Sequence, residues 1–434
     1  MRAEASLTSG LQKVMRRLLP FLMLLLLFNL LDRTNISFAA LQMNADFGFT
    51  PSVYGLAAGI FFIGYFLFEV PSNLVLVRVG ARPWLARIMI SWGAVVIAMA
   101  WIRGPSSFYT LRFLLGVAEA GLLPGVLLYL SRWVPRQRLA LAFSILMSTT
   151  ALANVLSGPI ATALMQLDGL LGLRGWQLLF IAEGIPTVLI GIAVGLWLPE
   201  RPADAAWLSA DEQAALAGTM AAEEGAKCEH GVTTFRQGFL DRRVLIATLV
   251  CFFFVCCNFG TVFWLPQIIK SMGSATTMQI GLLASIPYLL GGVATILWGR
   301  HSDARGERTW HLVAGALLGA AGYAYAASAS GATGAFIGLC VATFGIWSMF
   351  GVFWAHAGDL LGGAAAAGGF ALINSSSALG GFLAPVLMGA LRERTHSFTG
   401  ALLLLAGFAL LAAAASLLTA GALPARRSGA PLPG

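Results

Sequence analysis

Charge is what this sequence has least of. Only 11% of its 434 residues are Asp, Glu, Lys or Arg, where a soluble domain carries about a quarter. With 58% hydrophobic residues beside so few charges, the chain cannot hide its apolar surface in one water-facing core. That excludes an ordinary soluble protein and makes the bilayer its solvent. Cysteine is scarce too. Cys251, Cys256, Cys257 and Cys340 fall in apolar stretches and Cys228 in a polar one. No pair has the spacing of a zinc or dithiol site, so the reading is small core residues, no disulfide framework and no metal. A P-loop and a Ser-His-Asp set are missing, which removes support for ATP-driven transport and for serine hydrolysis. The net charge of +8 does not point to nucleic acid, because the basic residues form short clusters between apolar stretches rather than one aromatic-interleaved face.

What is there is a series of apolar segments long enough to span a bilayer. Six lie near 18–41, 52–76, 84–102, 106–130, 140–163 and 175–198, and six more near 244–268, 277–299, 310–328, 334–358, 364–392 and 397–424. Lys13, Arg16 and Arg17 precede the first. That span runs on past Asp32-Arg33, so it reads as an uncleaved first helix rather than a leader. Fifty glycines suit helices whose backbones pack closely. With both termini cytoplasmic, the outer loops hold only Arg103, Arg174, Lys270, Arg392 and Arg394, and twenty basic residues fall in inside segments. The positive-inside bias therefore predicts a multi-pass bacterial-type inner-membrane protein with both ends inside.

The sequence repeats itself at an offset of 226 residues. Gly80-Ala81-Arg82-Pro83-Trp84 follows the second span and Gly306-Glu307-Arg308-Thr309-Trp310 the eighth. Gly125-Val126 matches Gly351-Val352, and Pro159 matches Pro385. Ungapped matches in equivalent segments predict an all-α membrane protein of twelve transmembrane helices in two pseudo-symmetric halves. The expected division is an N-terminal six-helix bundle at 1–198, a cytoplasmic linker loop at 199–243 and a C-terminal six-helix bundle at 244–434.

A charge at the bilayer centre costs about 2.5–3.5 kcal/mol on insertion scales, so Asp32, Arg33, Arg112 and Glu119 need a reason. All four lie in spans one and four. Arg112 and Glu119 are seven apart and share a helix face; Asp32 and Arg33 are neighbours and point about 100° apart. One reading is structural: an Asp32–Arg112 or Arg33–Glu119 ion pair that docks two helices. The other is functional: the arginines bind an anion through their planar fork and the acids carry a proton.

The strings around these charges are specific. Asp32-Arg33-Thr34-Asn35 closes span one; Phe61-Phe62-Ile63-Gly64-Tyr65 and Glu69-Val70-Pro71-Ser72-Asn73 fill span two. Arg112-Phe113-Leu114-Leu115-Gly116-Val117-Ala118-Glu119-Ala120-Gly121 and Pro124-Gly125 fill span four. Gly175-Trp176-Gln177 and Glu183-Gly184-Ile185-Pro186 open span six, and Ala206-Trp207-Leu208 leads to Glu212. Over nearly its whole length the chain resembles the anion:cation symporter family of the major facilitator superfamily. The resemblance implies proton-coupled uptake of an organic anion such as a sugar acid, tartrate, phthalate or an aromatic acid, by a protein needing no cofactor beyond the co-transported H+. It implies Asp32 and Glu119 as proton carriers, Arg33 and Arg112 as their charge partners at the substrate, and Tyr65 as a substrate-facing ring. It places Thr150, Trp354 and Asn374 toward substrate from spans five, ten and eleven.

The same resemblance implies a cytoplasmic latch involving Glu69, Arg78, Arg82, Asp303 and Arg308. The first copy of the loop motif lacks its acid, and Ala304 stands in the second copy where an arginine is usual. Glu183 reads as a helix-end anchor. His356 and Asp359 read as gate or interface residues, being too few for a metal. The small-residue run Gly362–Gly369 reads as a packing or bending point. The expected partners are a small organic anion, protons and the lipid bilayer, around a monomer. Exchange or facilitation on the same fold stays open. An intramembrane enzyme is disfavoured, because the charged groups are deep and the outer loops short.

Overall fold

The computed structural model describes residues 2–228, 242–360 and 365–420. They are helical almost throughout. In chain order the helices are α1 (Arg2–Phe47), α2 (Pro51–Val79), α3 (Ala81–Met99), α4 (Pro105–Glu119), α5 (Leu122–Ser131), α6 (Arg136–Met165) and α7 (Gly175–Trp197). They continue as α8 (Ala210–Cys228), α9 (Arg242–Ser271), α10 (Thr277–Arg305), α11 (Thr309–Ser328), α12 (Ala332–Leu360), α13 (Ala365–Thr395) and α14 (Thr399–Ala420). Among the described residues ten helical spans, with α4 and α5 together making one of them, are long and apolar enough to cross a membrane. The third and ninth expected spans, α3 and α11, fall short by composition: α3 carries Arg82 and Arg87, and α11 is built largely of Ala and Gly.

Two predicted elements differ from expectation. Span four is not one helix. It breaks between α4 and α5, where Gly121 adopts φ 90, a region that L side chains avoid. The break frees the Ala120 carbonyl, which the Ser72 hydroxyl caps at 2.6 Å. Trp84 Nε1 in turn donates to Ser72 Oγ. The polar segment after span six is not simply a loop. Ser209 and Glu212 form a reciprocal cap, Ser209 N donating to the Glu212 carboxylate and Glu212 N to Ser209 Oγ, and α8 starts there. Its partner is α1, whose 46 residues rise roughly 69 Å, far beyond the ~30 Å hydrocarbon core. In its N-terminal extension Lys13 Nζ and Ser9 Oγ donate to Glu212 at 2.8 and 2.7 Å. These three donors push Glu212 down to about 2, the Lys13 ammonium leading.

The chain divides into two compact units, and the cut does not follow the sequence halves. The first takes residues 1–231, 261–289 and 381–398; the second takes 232–260, 290–380 and 399–434. The first unit gathers α1–α8 with parts of α9, α10 and α13, held by bonds such as Tyr54 Oη to Phe263 O at 2.6 Å and Lys270 Nζ to Leu41 O at 2.8 Å. Within it, α3 meets α7 through glycines: a Cβ on Gly93 would strike the Val188 backbone, and one on Gly184 the Ile97 backbone. α2 meets α4 likewise, Gly64 lying against Phe113 O and Gly116 against Phe61 O. The second unit is built the same way, with Gly315, Gly319 and Gly322 of α11 against Gly338, Ala342 and Gly345 of α12. Without a hydrophobic drive between helices in lipid, such close backbone approach supplies the packing energy.

Candidate functional site

Asp32 and Arg33, adjacent on α1, serve two different helices. Asn29 and Arg33 are four apart and share one face; Asp32 and Asn35, three apart, share another. Glu119, the last residue of α4, accepts from the first face: Arg33 Nε at 2.7 Å and Asn29 Nδ2 at 2.8 Å, both to Oε2. Its Oε1 is buried without a partner. The Arg33 guanidinium lies over the rings of Phe61 and Tyr65, 5.3 and 4.9 Å from their centroids, a cation–π arrangement. Its side chain keeps 18% exposure and Glu119 none.

Arg112, two turns before Glu119 on the same face of α4, is fully buried. Its Nε donates to Ala57 O at 3.1 Å, Nη2 makes a long contact of 3.5 Å with Ala58 O, and the guanidinium sits 5.0 Å over Phe61. Nη1 is buried with no hydrogen-bond partner. A buried donor left unmade costs about 1–3 kcal/mol, and more when charged. Arg112 feels Glu119 electrostatically without bonding to it. Of the two ion pairs weighed from sequence, Arg33–Glu119 is present and Asp32–Arg112 is not.

Asp32 faces α7 instead. Thr187 Oγ1 donates to its Oδ2 at 3.1 Å. Asn35 Nδ2 donates to Glu183 Oε2 at 2.8 Å and reaches Asp32 Oδ1 at 3.5 Å. Glu183 is therefore not a helix-end anchor. It lies eight residues inside α7, 3% exposed, because the Asp32 face of α1 packs on that helix. The sequence alone does not single out Asn29, and Asn35 enters only as the end of the Asp32-Arg33-Thr34-Asn35 string. Their signal was available: amides at helical spacing from buried charges, on an otherwise apolar span.

Thr150, on α6, is half-buried, and its carbonyl accepts from Asn154 Nδ2 at 2.8 Å. Trp354 on α12 and Asn374 on α13 belong to the second unit, Trp354 edge-on to Phe353 and Asn374 exposed. His356 is buried; the Asp359 side chain and residues 361–364 lie outside the described residues. In the latch region Glu69 is buried, its carbonyl accepting from Asn73 Nδ2, and Arg78 is exposed on the last turn of α2. Arg82 donates from Nε to Gly195 O at 2.7 Å at the end of α7. Glu200 accepts from Ala81 N and Arg82 N at 2.8 and 2.9 Å, placing a carboxylate on the α3 N-terminus where the helix dipole favours it. Asp303 pairs with Arg308 in the second copy.

The chain is similar to known proteins over nearly its whole length. A protein of Agrobacterium vitis named for tartrate transport is 45% identical over 419 residues, 96% of each chain. A quinolone resistance transporter of Acinetobacter baumannii is 40% identical over 386 residues, 89% of each. A solved bacterial homologue of the human lysosomal transporter Spinster shares the fold at 16% identity, with a TM-score of 0.78 over 93% of this chain and 96% of its own. Residues 22–385 match the family model of the Major Facilitator Superfamily; the chain belongs to that superfamily, and is a membrane transporter rather than an enzyme.

Proposed function

We propose that the protein is a secondary active transporter that takes up a small organic anion together with protons by alternating access. The observation that carries this reading is the cluster at Arg33, Arg112 and Glu119. It holds one unpartnered guanidinium nitrogen, Arg112 Nη1, and one unpartnered carboxylate oxygen, Glu119 Oε1. A hydroxylated carboxylate offers what both lack: an anionic oxygen for the donor and an O–H for the acceptor. The relatives support the substrate class, one being named for tartrate transport. In this reading Asp32 and Glu119 carry protons, with Tyr65, Thr150, Trp354 and Asn374 completing recognition. Glu69, Arg78, Arg82, Asp303 and Arg308 form a cytoplasmic latch. Both termini are inside, the halves 1–198 and 244–434 are the moving bodies, and the monomer is the working unit.

The test is uptake of labelled tartrate and related hydroxy acids into proteoliposomes under an imposed pH gradient. Glu119→Gln abolishes gradient-driven accumulation and leaves counterflow exchange; accumulation at the wild-type rate would defeat the coupling role. Gradient-independent exchange in the wild type would favour an exchanger. The Acinetobacter relative, named for quinolone resistance, favours a second reading as an exporter. The side of accumulation separates the two, since a proton–anion symporter concentrates substrate on the alkaline side of the membrane and a proton-coupled antiporter on the acidic side.

A further inference from the structure

The acids of the first unit do not form one site. Glu119 is answered by a cation, Arg33. Asp32 and Glu183 are not: among the described residues no arginine, lysine or histidine pairs with either. The groups that face Asp32 are Glu183 and Thr187 on α7, Glu119 on α4, Trp92 on α3 and Asn35 on its own helix. Those that face Glu183 are Asn35 and Asp32. One amide touches both carboxyl groups. Asp32 is 0% exposed and Glu183 3%.

Two carboxyl groups this buried, bridged by one amide and paired with no cation, are stable when they share a proton. Two further atoms bear on this. Asn35 Oδ1, on the amide that bridges the pair, is buried with no donor, and Asn35 is 2% exposed. An acceptor there is satisfied by a carboxylic O–H and by nothing else in the pair. The Trp92 indole N–H, on a fully buried side chain, faces Asp32 without making a full hydrogen bond.

We propose that Asp32 and Glu183, bridged by Asn35, form a proton-binding pair distinct from the Arg33–Glu119 ion pair, and that a transported proton rides on it. This rests on the proton-coupled reading above, in which Asp32 and Glu119 carry protons, and adds Glu183 as a third acid paired with Asp32. The division of labour follows from the α1 helix: the Arg33 face senses the anion and the Asp32 face, one residue back, holds the proton. Ionising the pair places negative charge beside Glu119, on the far side of the same helix turn, and so communicates with the anion site without a moving side chain.

Two measurements on the full-length protein test it. The first needs no substrate: infrared difference spectra of the purified transporter between acid and alkaline pH, reading the carbonyl band of protonated carboxyl groups. The expected result is a titrating band in the wild type and in Glu119→Gln that is lost in both Asp32→Asn and Glu183→Gln. A band unchanged in Glu183→Gln, or lost only in Glu119→Gln, overturns the pair. The second is tartrate uptake in proteoliposomes. Glu183→Gln loses gradient-driven accumulation and keeps measurable counterflow, which also shows that the variant folds. Wild-type accumulation in Glu183→Gln overturns the pair as the coupling site. Wild-type vesicles that ignore the gradient overturn the coupling reading itself, while the infrared result still decides whether the pair holds a proton.

Discussion

The two units bury different things. The first encloses Asp32, Arg112, Glu119 and Glu183. Among the described residues the second encloses hydroxyls and two histidines, His311 and His356, but no acid or arginine. The internal repeat sharpens this. At the 226-residue offset Asp32 corresponds to Asn258, Arg112 to Gly338, Glu119 to Gly345 and Glu183 to Ala409. Gly338 and Gly345 are the glycines of α12 that seat against α11. The same helix position is thus used for backbone contact in one copy and for charge in the other. Packing does not need the charges, since the second unit packs without them. Their cost in a bilayer is therefore not one that helix packing requires.

The largest effect expected from breaking this difference is at Arg33. Arg33→Ala leaves Glu119 buried without its cation and destabilises by about 3–5 kcal/mol, read as a fall in unfolding temperature in detergent. Pairing it with Glu119→Leu restores the stability and not the transport, which separates docking from function. Next comes the uncharged copy. Gly345→Val drives a branched side chain into the Gly319 backbone and costs about 1–3 kcal/mol, measured the same way; no loss would mean that α11 and α12 are not held by close approach. Ser72→Ala comes third. It strips the Ala120 carbonyl of its donor at the α4–α5 break, at about 1–3 kcal/mol, and increases proteolysis near residue 121.

The smallest effect is at the α8 dock. Glu212 is held down at about 2 from its ordinary 4.5 by Lys13, Ser209 and Ser9. A depressed carboxylate stabilises above its unfolded pKa, and that contribution is lost only as pH falls from about 4.5 toward 2. Protease sensitivity of residues 210–228 therefore stays flat between pH 8 and pH 5 and rises in strong acid. Lys13→Ala brings the rise to higher pH. A change between pH 8 and pH 5 in the wild type would mean that another group holds α8.

Much of this was legible in the residues. The spans followed from apolar length, the repeat from matched strings, and the Arg33–Glu119 option from the cost of buried charge. The 100° step between Asp32 and Arg33 already required two partners. The role of Glu183 was not legible, because a lone glutamate in an apolar run looks alike whether it caps a helix or faces a carboxylate on another. The break at Gly121 was hidden for a similar reason: the glycine-rich string is as compatible with close packing as with a kink, and the Ser72 cap lies 48 residues away. The helix in the linker had a readable signature, Ser209 followed by Glu212, but its dock on Lys13 did not.

By itself the sequence determined that the chain is a membrane protein of repeated helices with its charge in one half. Hydropathy, length and composition are properties of a segment and need no neighbour. Only the tertiary structure decided which charge meets which. Partnership depends on helix rotation and crossing, which glycine contacts set between residues far apart in the chain. It gave Arg33 to Glu119, left Arg112 with an open nitrogen, and turned Asp32 toward Glu183.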